Sequence, residues 1–270
     1  MSKPNQPLAM NKYFQLLFEN RHVQNREFKA QKGAKGENEI LLYDVIVGSK
    51  DEAAWWGGVD PETFRDTLNS YEGADVKLRI NSPGGSVFGG RAMQTAVQEY
   101  PGKVDVVIDG IAASAASFVP MGANSIHLGE GAMMMVHKGW TFAIGNADEL
   151  RDQAGILDKI DNSLVKTYAK HNRVGLTEDK IMDFVAAETW FDGAEAVEYG
   201  FADTAADDEE KTVQNEPKNL GGIAWNLNAF KNEVTRPSDV QDSEENFATD
   251  EQRERQLQRL NLINVTAIAQ

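Results

Sequence analysis

The chain has 270 residues, no cysteine, and 27 basic against 42 acidic side chains, which gives a net charge of -15. The absence of cysteine excludes disulfides, thiolate zinc sites and a cysteine nucleophile. The negative charge opposes binding to a phosphate backbone and no basic patch offsets it, so we expect no nucleic-acid partner. No apolar run approaches the roughly 20 residues that span a bilayer, and no signal-peptide core follows the first residues. We therefore expect a soluble, cytoplasmic protein without a membrane partner.

Apolar residues are concentrated in the middle of the chain, which predicts three zones. Residues 1–38 form a polar leader, and residues 39–204 hold nearly all of the strong periodicity and form the expected domain. Residues 205–270 are acidic and rich in Asn and Gln, a composition that buries too little apolar surface to offset the entropy of ordering. They are expected to form a linker and tail. Residues 255–266 carry an apolar patch that predicts either a short docking segment or an unstructured end.

Periods of two and of about 3.6 residues alternate along the middle zone, which predicts an α/β domain of successive strands and helices. Strands are expected at 40–47, 76–80, 104–108, 125–128 and 132–136. Helices are expected from residue 60, after residue 86, and at 148–170, 178–187 and 194–199. The start at residue 60 is marked by Asp60 as an N-cap and by Pro61 at the first helical position.

Two of the predicted strands end in small residues, at Pro83-Gly84-Gly85 and at Gly110 to Ser114. Open α/β folds bind ligands at the carboxyl ends of their strands. Neither loop has the spacing of a phosphate-binding glycine motif, so a nucleotide site is not predicted. The amides of Gly84 and Gly85 could face a developing oxyanion. Alternatively, the glycines only supply the positive φ of a tight turn.

Ser114 follows a strand and begins a predicted helix, which is the setting of a hydrolase nucleophile. Alanines stand where the G-x-S-x-G motif of such enzymes has glycines, although small neighbours still permit close approach of a substrate. A helix N-cap or a small packing residue is the simpler role for this serine. The same alternative applies to Ser82, Ser86 and Ser117.

A serine nucleophile needs a base, because its hydroxyl is essentially un-ionised at neutral pH. The chain offers four histidines: His22, His127, His137 and His171. His137 directly follows the apolar run Met133 to Val136, at the end of a buried strand where an exposed loop begins. This position suits a catalytic base, and a structural role remains the alternative.

Four sequence blocks follow one another along the middle zone. They are Asn81 to Val87, Gly110 to Ser117, Met134 to His137, and Ala194 to Gly200. In order and spacing they resemble the proteolytic subunit of the Clp protease and its phage relatives, over roughly residues 40–203. The resemblance implies a repeated βαβ core, shared with crotonases, and a projecting helical arm at 148–170. The polar composition of the two ends adds flexible N- and C-terminal extensions to this expected fold.

The same resemblance implies the catalytic residues. It makes Ser114 the nucleophile and His137 its general base, with the amides of Gly85 and Ala115 as the oxyanion hole. At the position where the Clp subunit has its orienting aspartate, this chain has Glu188, which can also accept the imidazole N–H. Asp192 is the alternative third member of the triad, one helical turn later.

The polar leader, the long tail and the block Glu188-Thr189-Trp190-Phe191 resemble the phage enzymes that trim scaffold and capsid proteins during prohead maturation. The resemblance therefore implies a serine endopeptidase that assembles into a homo-oligomeric ring, for which a heptamer is one candidate. Its expected substrates are the scaffold and major capsid proteins inside the prohead, in the bacterial host cytoplasm. No metal or other cofactor is expected, since no His, Asp and Glu cluster has ligand spacing.

Four other functions stay open at this point. A bacterial or prophage Clp-type peptidase would work with an ATPase partner. A Ser–Lys protease similar to signal peptide peptidase A shares the core but needs a lysine base, against which His137 argues. A crotonase-like acyl-CoA enzyme also uses paired backbone amides against an oxyanion. A capsid scaffold protein could retain the fold without catalysis.

Overall fold

The alternation of strands and helices is present in the computed structural model of the protein, which describes residues 12–206 and 223–230. The strands are β1 (Glu27–Lys32), β2 (Asn38–Tyr43), β3 (Val76–Ser82), β4 (Val104–Ala113), β5 (Ser125–Leu128), β6 (Met133–Val136), β7 (Thr189–Phe191) and β8 (Thr204–Ala205). The α-helices are α1 (Lys12–Asn20), α2 (Lys50–Trp56), α3 (Pro61–Asn69), α4 (Val87–Glu99), α5 (Ala147–His171), α6 (Glu178–Ala187) and α7 (Gly193–Glu198). Two 3-10 helices span Ser114–Ser117 and Val119–Gly122.

The sheet is built around parallel pairs and has the order β1-β2-β3-β4-β5-β8. Strand β4 is long enough to pair with two partners in succession. Its first half pairs with β5, and its last three residues pair in parallel with β6. Strand β7 then pairs with β6 in the antiparallel sense. As a result, the carboxyl ends of β4 and β6 and the start of β7 meet at one corner of the sheet.

The predicted α/β fold is confirmed, and most predicted elements lie within a few residues of the observed ones. The helix after Asp60 begins as expected, since the Asp60 carboxylate accepts from the N–H groups of Glu62 and Thr63 and Pro61 occupies the first turn. The predicted arm corresponds to α5. Its first half is largely exposed, and its second half packs against the core through Leu164, Val165 and Tyr168.

Residues 12–32 of the expected leader form two regular elements, α1 and β1. Helix α1 buries Leu16 and Leu17 against the domain, and β1 adds an antiparallel edge to β2. Sequence composition missed β1 because an edge strand can leave most of its side chains in water, so that its residues need not be apolar.

Within the expected linker and tail, residues 223–230 pack on the core, with Ala229 and Phe230 buried. A few large side chains spaced among asparagines anchor this segment, and the average polarity of the region hid them from the sequence analysis. The acidic cluster that begins at residue 207, the expected docking segment 255–266 and residues 1–11 lie outside the described residues.

Within the part of the chain that the structure describes, no helix combines the length and the apolar character that a membrane crossing requires.

Candidate active site

Ser114 stands at a strained turn between β4 and a 3-10 helix. Its φ of 53° places it in the left-handed region, which is uncommon for a residue with a side chain and is typical of a nucleophile at a strand-to-helix turn. Gly84, with a φ of 87°, packs directly against this turn. A Cβ at Gly84 would lie 2.4 Å from Ala113 O and 2.8 Å from Ala115 N. The glycine loop and the Ser114 turn therefore hold each other in place.

A pair of buried hydroxyl groups supports the turn from inside the core. Ser117 Oγ donates to Ser114 O at 2.5 Å, so the second bond of this hydroxyl, 2.6 Å to Tyr168 Oη, is one that it accepts. Ser117 and Tyr168 are almost fully buried, and burial raises the pKa of the tyrosine hydroxyl, which stays protonated as a donor. Because Tyr168 belongs to α5, this chain of bonds links the second half of that helix to the strained residue.

We expect Tyr168→Phe to lower both stability and turnover. Losing one buried hydrogen bond costs about 1 kcal/mol of unfolding free energy. It also frees Ser117 to turn away from Ser114 O, so kcat should fall several-fold. Urea unfolding and peptide hydrolysis measure the two effects. Tyr71→Phe is the matched control, because it removes a 2.8 Å bond to Glu39 O far from Ser114 and should change stability alone. An unchanged kcat in Tyr168→Phe would contradict this role.

His137 lies where β6 ends, and its imidazole reaches Ser114. The Nε2 to Oγ distance is 2.7 Å, a hydrogen bond that Ser114 donates when the imidazole proton is on Nδ1. The histidine is buried. The loop after it is tied to α5, because Gly139 N donates to Asp161 Oδ1 at 2.8 Å. Burial raises the pKa of Asp161.

The other histidines lie elsewhere. His22 accepts a hydrogen bond from Arg21 on the surface, and His127 contacts Thr204 Oγ1 on β8. His171 ends α5, where burial lowers its pKa. The remaining serines near the glycine loop have structural bonds. Ser82 Oγ donates to Asp44 O and Ser86 Oγ caps α4. Among the predicted serine and histidine candidates, the structure therefore brings Ser114 and His137 together.

The register of β6 and β7 separates the two acids proposed as third member. Met134 faces Phe191 and Val136 faces Thr189, so Glu188 and His137 each directly adjoin the last pair of the ladder. Asp192 follows the other end of β7. It is four residues, or roughly 13 Å along the strand, from Glu188. Asp192 is exposed and caps α7, where its carboxylate accepts from Glu195 N at 2.8 Å. Glu188, partly buried, ends α6 in the left-handed conformation with a φ of 58°.

Two backbone amides near Ser114 are available as donors. Ile46 N donates to Gly84 O and Ser86 N donates to Ile46 O, both at 2.8 Å, which forms a parallel bridge to Gly85. In such a bridge the N–H of the middle residue, here Gly85, points away from Ile46. The Ala115 N–H lies in the first turn of the 3-10 helix, where N–H groups have no partner within the helix.

A cavity of about 350 Å³ opens beside the Ser114 hydroxyl. Gly85, Ser114 and His137 line one side of it. Its other walls are largely apolar. They come from α1, α4, α5 and the residue between the two 3-10 helices, with the side chains of Leu16, Phe88, Phe118, Ile156, Leu157 and Ile160. The space therefore suits an extended peptide that presents an apolar side chain next to the reacting carbonyl. No group of His, Asp and Glu side chains within the described ranges has metal-holding geometry.

The sequence analysis did not single out Tyr168 and Asp161, which contact the Ser114 turn and the loop after His137, or Phe230, whose ring packs beside the His137 imidazole. Tyr168 fits the apolar stripe of α5, and nothing in the pattern shows that its hydroxyl reaches a neighbouring turn. Asp161 has no sequence signal, being one of many acids on a long helix. For Phe230 a signal existed, since Trp225 and Phe230 are aromatic residues in an otherwise polar region.

Comparison with known proteins identifies the family. The profile of the Clp protease family matches residues 67–209, which include Ser114, His137 and Glu188. The chain is 33% identical over 132 residues to the ATP-dependent Clp protease proteolytic subunit 2 of Cutibacterium acnes, covering 48% of this chain and 61% of that protein. It is 30% identical over 131 residues to the subunit 2 of Tropheryma whipplei, covering 48% of this chain and 72% of that protein. The chain belongs to the Clp protease family.

A solved structure shows the same fold. A mutant of ClpP1 from Listeria monocytogenes superposes with a TM-score of 0.51 at 20% identity, over 62% of this chain and 90% of that one. The chain spans less than two thirds of the length of the Cutibacterium acnes relative. Residues 1–66 and 210–270 lie outside the segment that the family profile matches.

Proposed function

We propose that this protein is a serine peptidase in which Ser114 attacks the peptide carbonyl and His137 is the general base. The observation that carries the proposal is the 2.7 Å contact between Ser114 Oγ and His137 Nε2, at a strained turn that faces a cavity. A buried structural histidine would need neither the strained serine nor the open space beside it. Membership of the Clp protease family supports a peptidase rather than another hydrolase.

The geometry supports a two-step acyl transfer. As Ser114 Oγ bonds to the scissile carbonyl carbon, its proton passes to His137 Nε2. The imidazolium then gives this proton to the amine of the leaving fragment while the C–N bond breaks, which leaves an ester on Ser114. A water molecule, deprotonated by the same imidazole, hydrolyses the ester and returns the serine.

The amides of Gly85 and Ala115 are proposed as the oxyanion hole. The negative oxygen of the tetrahedral intermediate needs fixed donors, and a single donor is worth about 10²- to 10³-fold in kcat. Both amides lie beside Ser114, and Gly85 also lines the cavity. No side chain can replace the hydrogen at Gly85, because its φ is 141° and a Cβ would lie 2.0 Å from Ile46 O.

Glu188 is proposed as the residue that orients His137, with Asp192 as the alternative. We expect Glu188→Gln to lower kcat by about 10²- to 10⁴-fold, since the amide cannot stabilise imidazolium and favours the wrong tautomer. Asp192→Asn should be nearly silent, because asparagine caps a helix as well as aspartate does. Peptidase assays of both variants decide between them. A fully active Glu188→Gln enzyme would transfer the role away from this residue.

The proposed biological setting is maturation of a phage prohead, with the scaffold and major capsid proteins as substrates of a homo-oligomeric ring. Support comes from the extensions on both sides of the family match and from the exposed apolar residues Leu150 and Ile156 on α5, which a ring contact could cover. Co-expression with phage scaffold and major capsid proteins tests it. Cleavage that depends on Ser114 is expected, whereas intact capsid proteins would contradict this setting.

A Clp-type peptidase that works with an ATPase partner is the second candidate. It is favoured by the relatives, which are named as subunits of ATP-dependent proteases. The two settings differ in their requirement for ATP. Degradation of a folded protein only when an ATPase and ATP are added favours the second candidate, and cleavage of capsid proteins without ATP favours the first. Turnover of an acyl-CoA thioester in place of peptides would contradict both.

A further inference from the structure

A short segment beyond the family match returns to the candidate active site. Residues 223–230 follow the acidic stretch, and the family profile ends at residue 209. Hydrogen bonds anchor the segment at its start. Trp225 Nε1 donates to Asn81 Oδ1 at 3.0 Å, and Asn81 is the last but one residue of β3, close to the glycine loop. Asn226 N donates to Asn20 Oδ1 at 2.7 Å, and Asn20 Nδ2 donates back to Asn226 O at 2.9 Å.

These hydrogen bonds hold the segment so that Phe230 lies beside His137. The phenylalanine is 4% exposed, and its ring centroid is 5.5 Å from that of the imidazole in an edge arrangement. Trp140, three residues after His137, lies 4.3 Å from the imidazole and 5.2 Å from Phe230. Trp190, two residues after Glu188, lies 6.2 Å from Phe230. We call Trp140, Trp190 and Phe230 the aromatic socket.

We propose that Phe230 is a positioning residue, which rests on the proposed function of His137 as the base. Through the aromatic socket, the C-terminal extension completes the active site. The contact with Ser114 holds one nitrogen of the imidazole, and rings packed beside the imidazole restrict rotation about its side-chain bonds. Phe230 also contacts Trp140 in the loop after His137 and Trp190 in strand β7, next to Glu188. One side chain therefore packs on both elements that position the triad candidates His137 and Glu188.

The position of Phe230 predicts which kinetic constant it affects. The described residues that line the cavity come from α1, α2, the glycine loop, α4, the segment from Ser114 to Phe118, the loop after His137 and α5. None comes from 223–230. Phe230 therefore packs on His137 without contributing to the walls of the cavity. Loss of the Phe230 ring should therefore lower kcat and leave KM within about twofold of the wild-type value. A small misplacement of a catalytic group lowers the rate of the chemical step by up to about 10²-fold.

The experiment compares Phe230→Ala and Phe230→Leu in the full chain, with a fluorogenic peptide as substrate. We expect kcat to fall about 10- to 100-fold in Phe230→Ala at nearly unchanged KM. Leucine fills most of the same volume and should restore much of the activity. Phe28→Ala is the matched control, since Phe28 packs on Phe64 beneath β1, away from His137. It should lose stability without this kinetic change.

Hydrogen–deuterium exchange gives a second measurement that needs no activity. In Phe230→Ala, amides of residues 137–141 should exchange faster than in the wild-type protein, and in Phe28→Ala they should not. Wild-type kcat and unchanged exchange in Phe230→Ala would overturn the inference, as would a rise in KM alone. Ser114→Ala is assayed in parallel. If the wild type and Ser114→Ala are equally inactive or equally active, the proposed function fails, and the exchange data still decide whether Phe230 holds His137.

Discussion

Replacing Ser114 by alanine is expected to lower kcat/KM for a short fluorogenic peptide by at least about 10³-fold, because the attacking oxygen is lost. The backbone turn should survive, since alanine removes only the hydroxyl, and the circular dichroism spectrum should remain that of the wild type. His137→Gln should lose activity to a similar degree. The double variant should be no worse than either single one, because nucleophile and base act as a unit.

Ser125→Ala is the matched control for this series. Ser125 begins β5, where its hydroxyl donates to Asp105 Oδ1 at 2.6 Å, away from the corner of the sheet where Ser114 and His137 meet. We expect its activity to match that of the wild type. Loss of the nucleophile predicts activity far below about a tenth of that of the wild type. If Ser114→Ala retained more than this, the assignment of Ser114 would be contradicted.

The second large effect is expected at Gly84. Its positive φ and the atoms around it both oppose a side chain, since a Cβ would lie 2.4 Å from Ala113 O. Gly84→Ala should therefore force the glycine loop away from the Ser114 turn. We expect it to lower the free energy of unfolding by at least about 2 kcal/mol, from backbone strain and overpacking together. Activity should be lost as well, since the oxyanion donor at Gly85 moves with the loop.

Two glycine controls separate the causes. Gly131 has a positive φ of 71° but no atom within 4 Å of a Cβ, so Gly131→Ala reports backbone strain alone. Gly155 lies in α5 with open space around it, and Gly155→Ala should be stabilising by about 0.5–1 kcal/mol through helix propensity. Urea unfolding of the three variants measures these differences. If Gly84→Ala and Gly131→Ala lowered the free energy of unfolding equally, the contact between Gly84 and the Ser114 turn would make no contribution to the loss.

The α/β fold could be predicted because its signals are local. Asp60 and Pro61 mark a helix start. In β3, apolar and polar residues alternate, and every second side chain is buried. The predicted bounds of α6 agree with the observed ones. Elements without a strong apolar pattern were missed. Strand β7 has three residues, and it is specified by its pairing with β6 rather than by its own composition.

Their strand-end positions made Ser114 and His137 candidates and the resemblance implied their roles, but the sequence alone does not show their contact. It depends on β4 pairing first with β5 and then with β6, a long-range feature that no local pattern encodes. The preference for Glu188 over Asp192 came from the resemblance, and the register of β6 and β7 supports it. Phe230 was missed for a different reason. Its role depends on a segment that returns to the core across a polar stretch, where average composition predicts a linker.

The most direct test of the central claim is to treat the full-length protein with a fluorophosphonate and locate the adduct by peptide mass spectrometry. Such reagents react with a serine only when a neighbouring base activates it. We predict one adduct, on Ser114, which is absent in Ser114→Ala and forms much more slowly in His137→Gln. Peptide hydrolysis by a protein that carries the adduct on another residue, or by one in which Ser114 stays unmodified, would contradict the account.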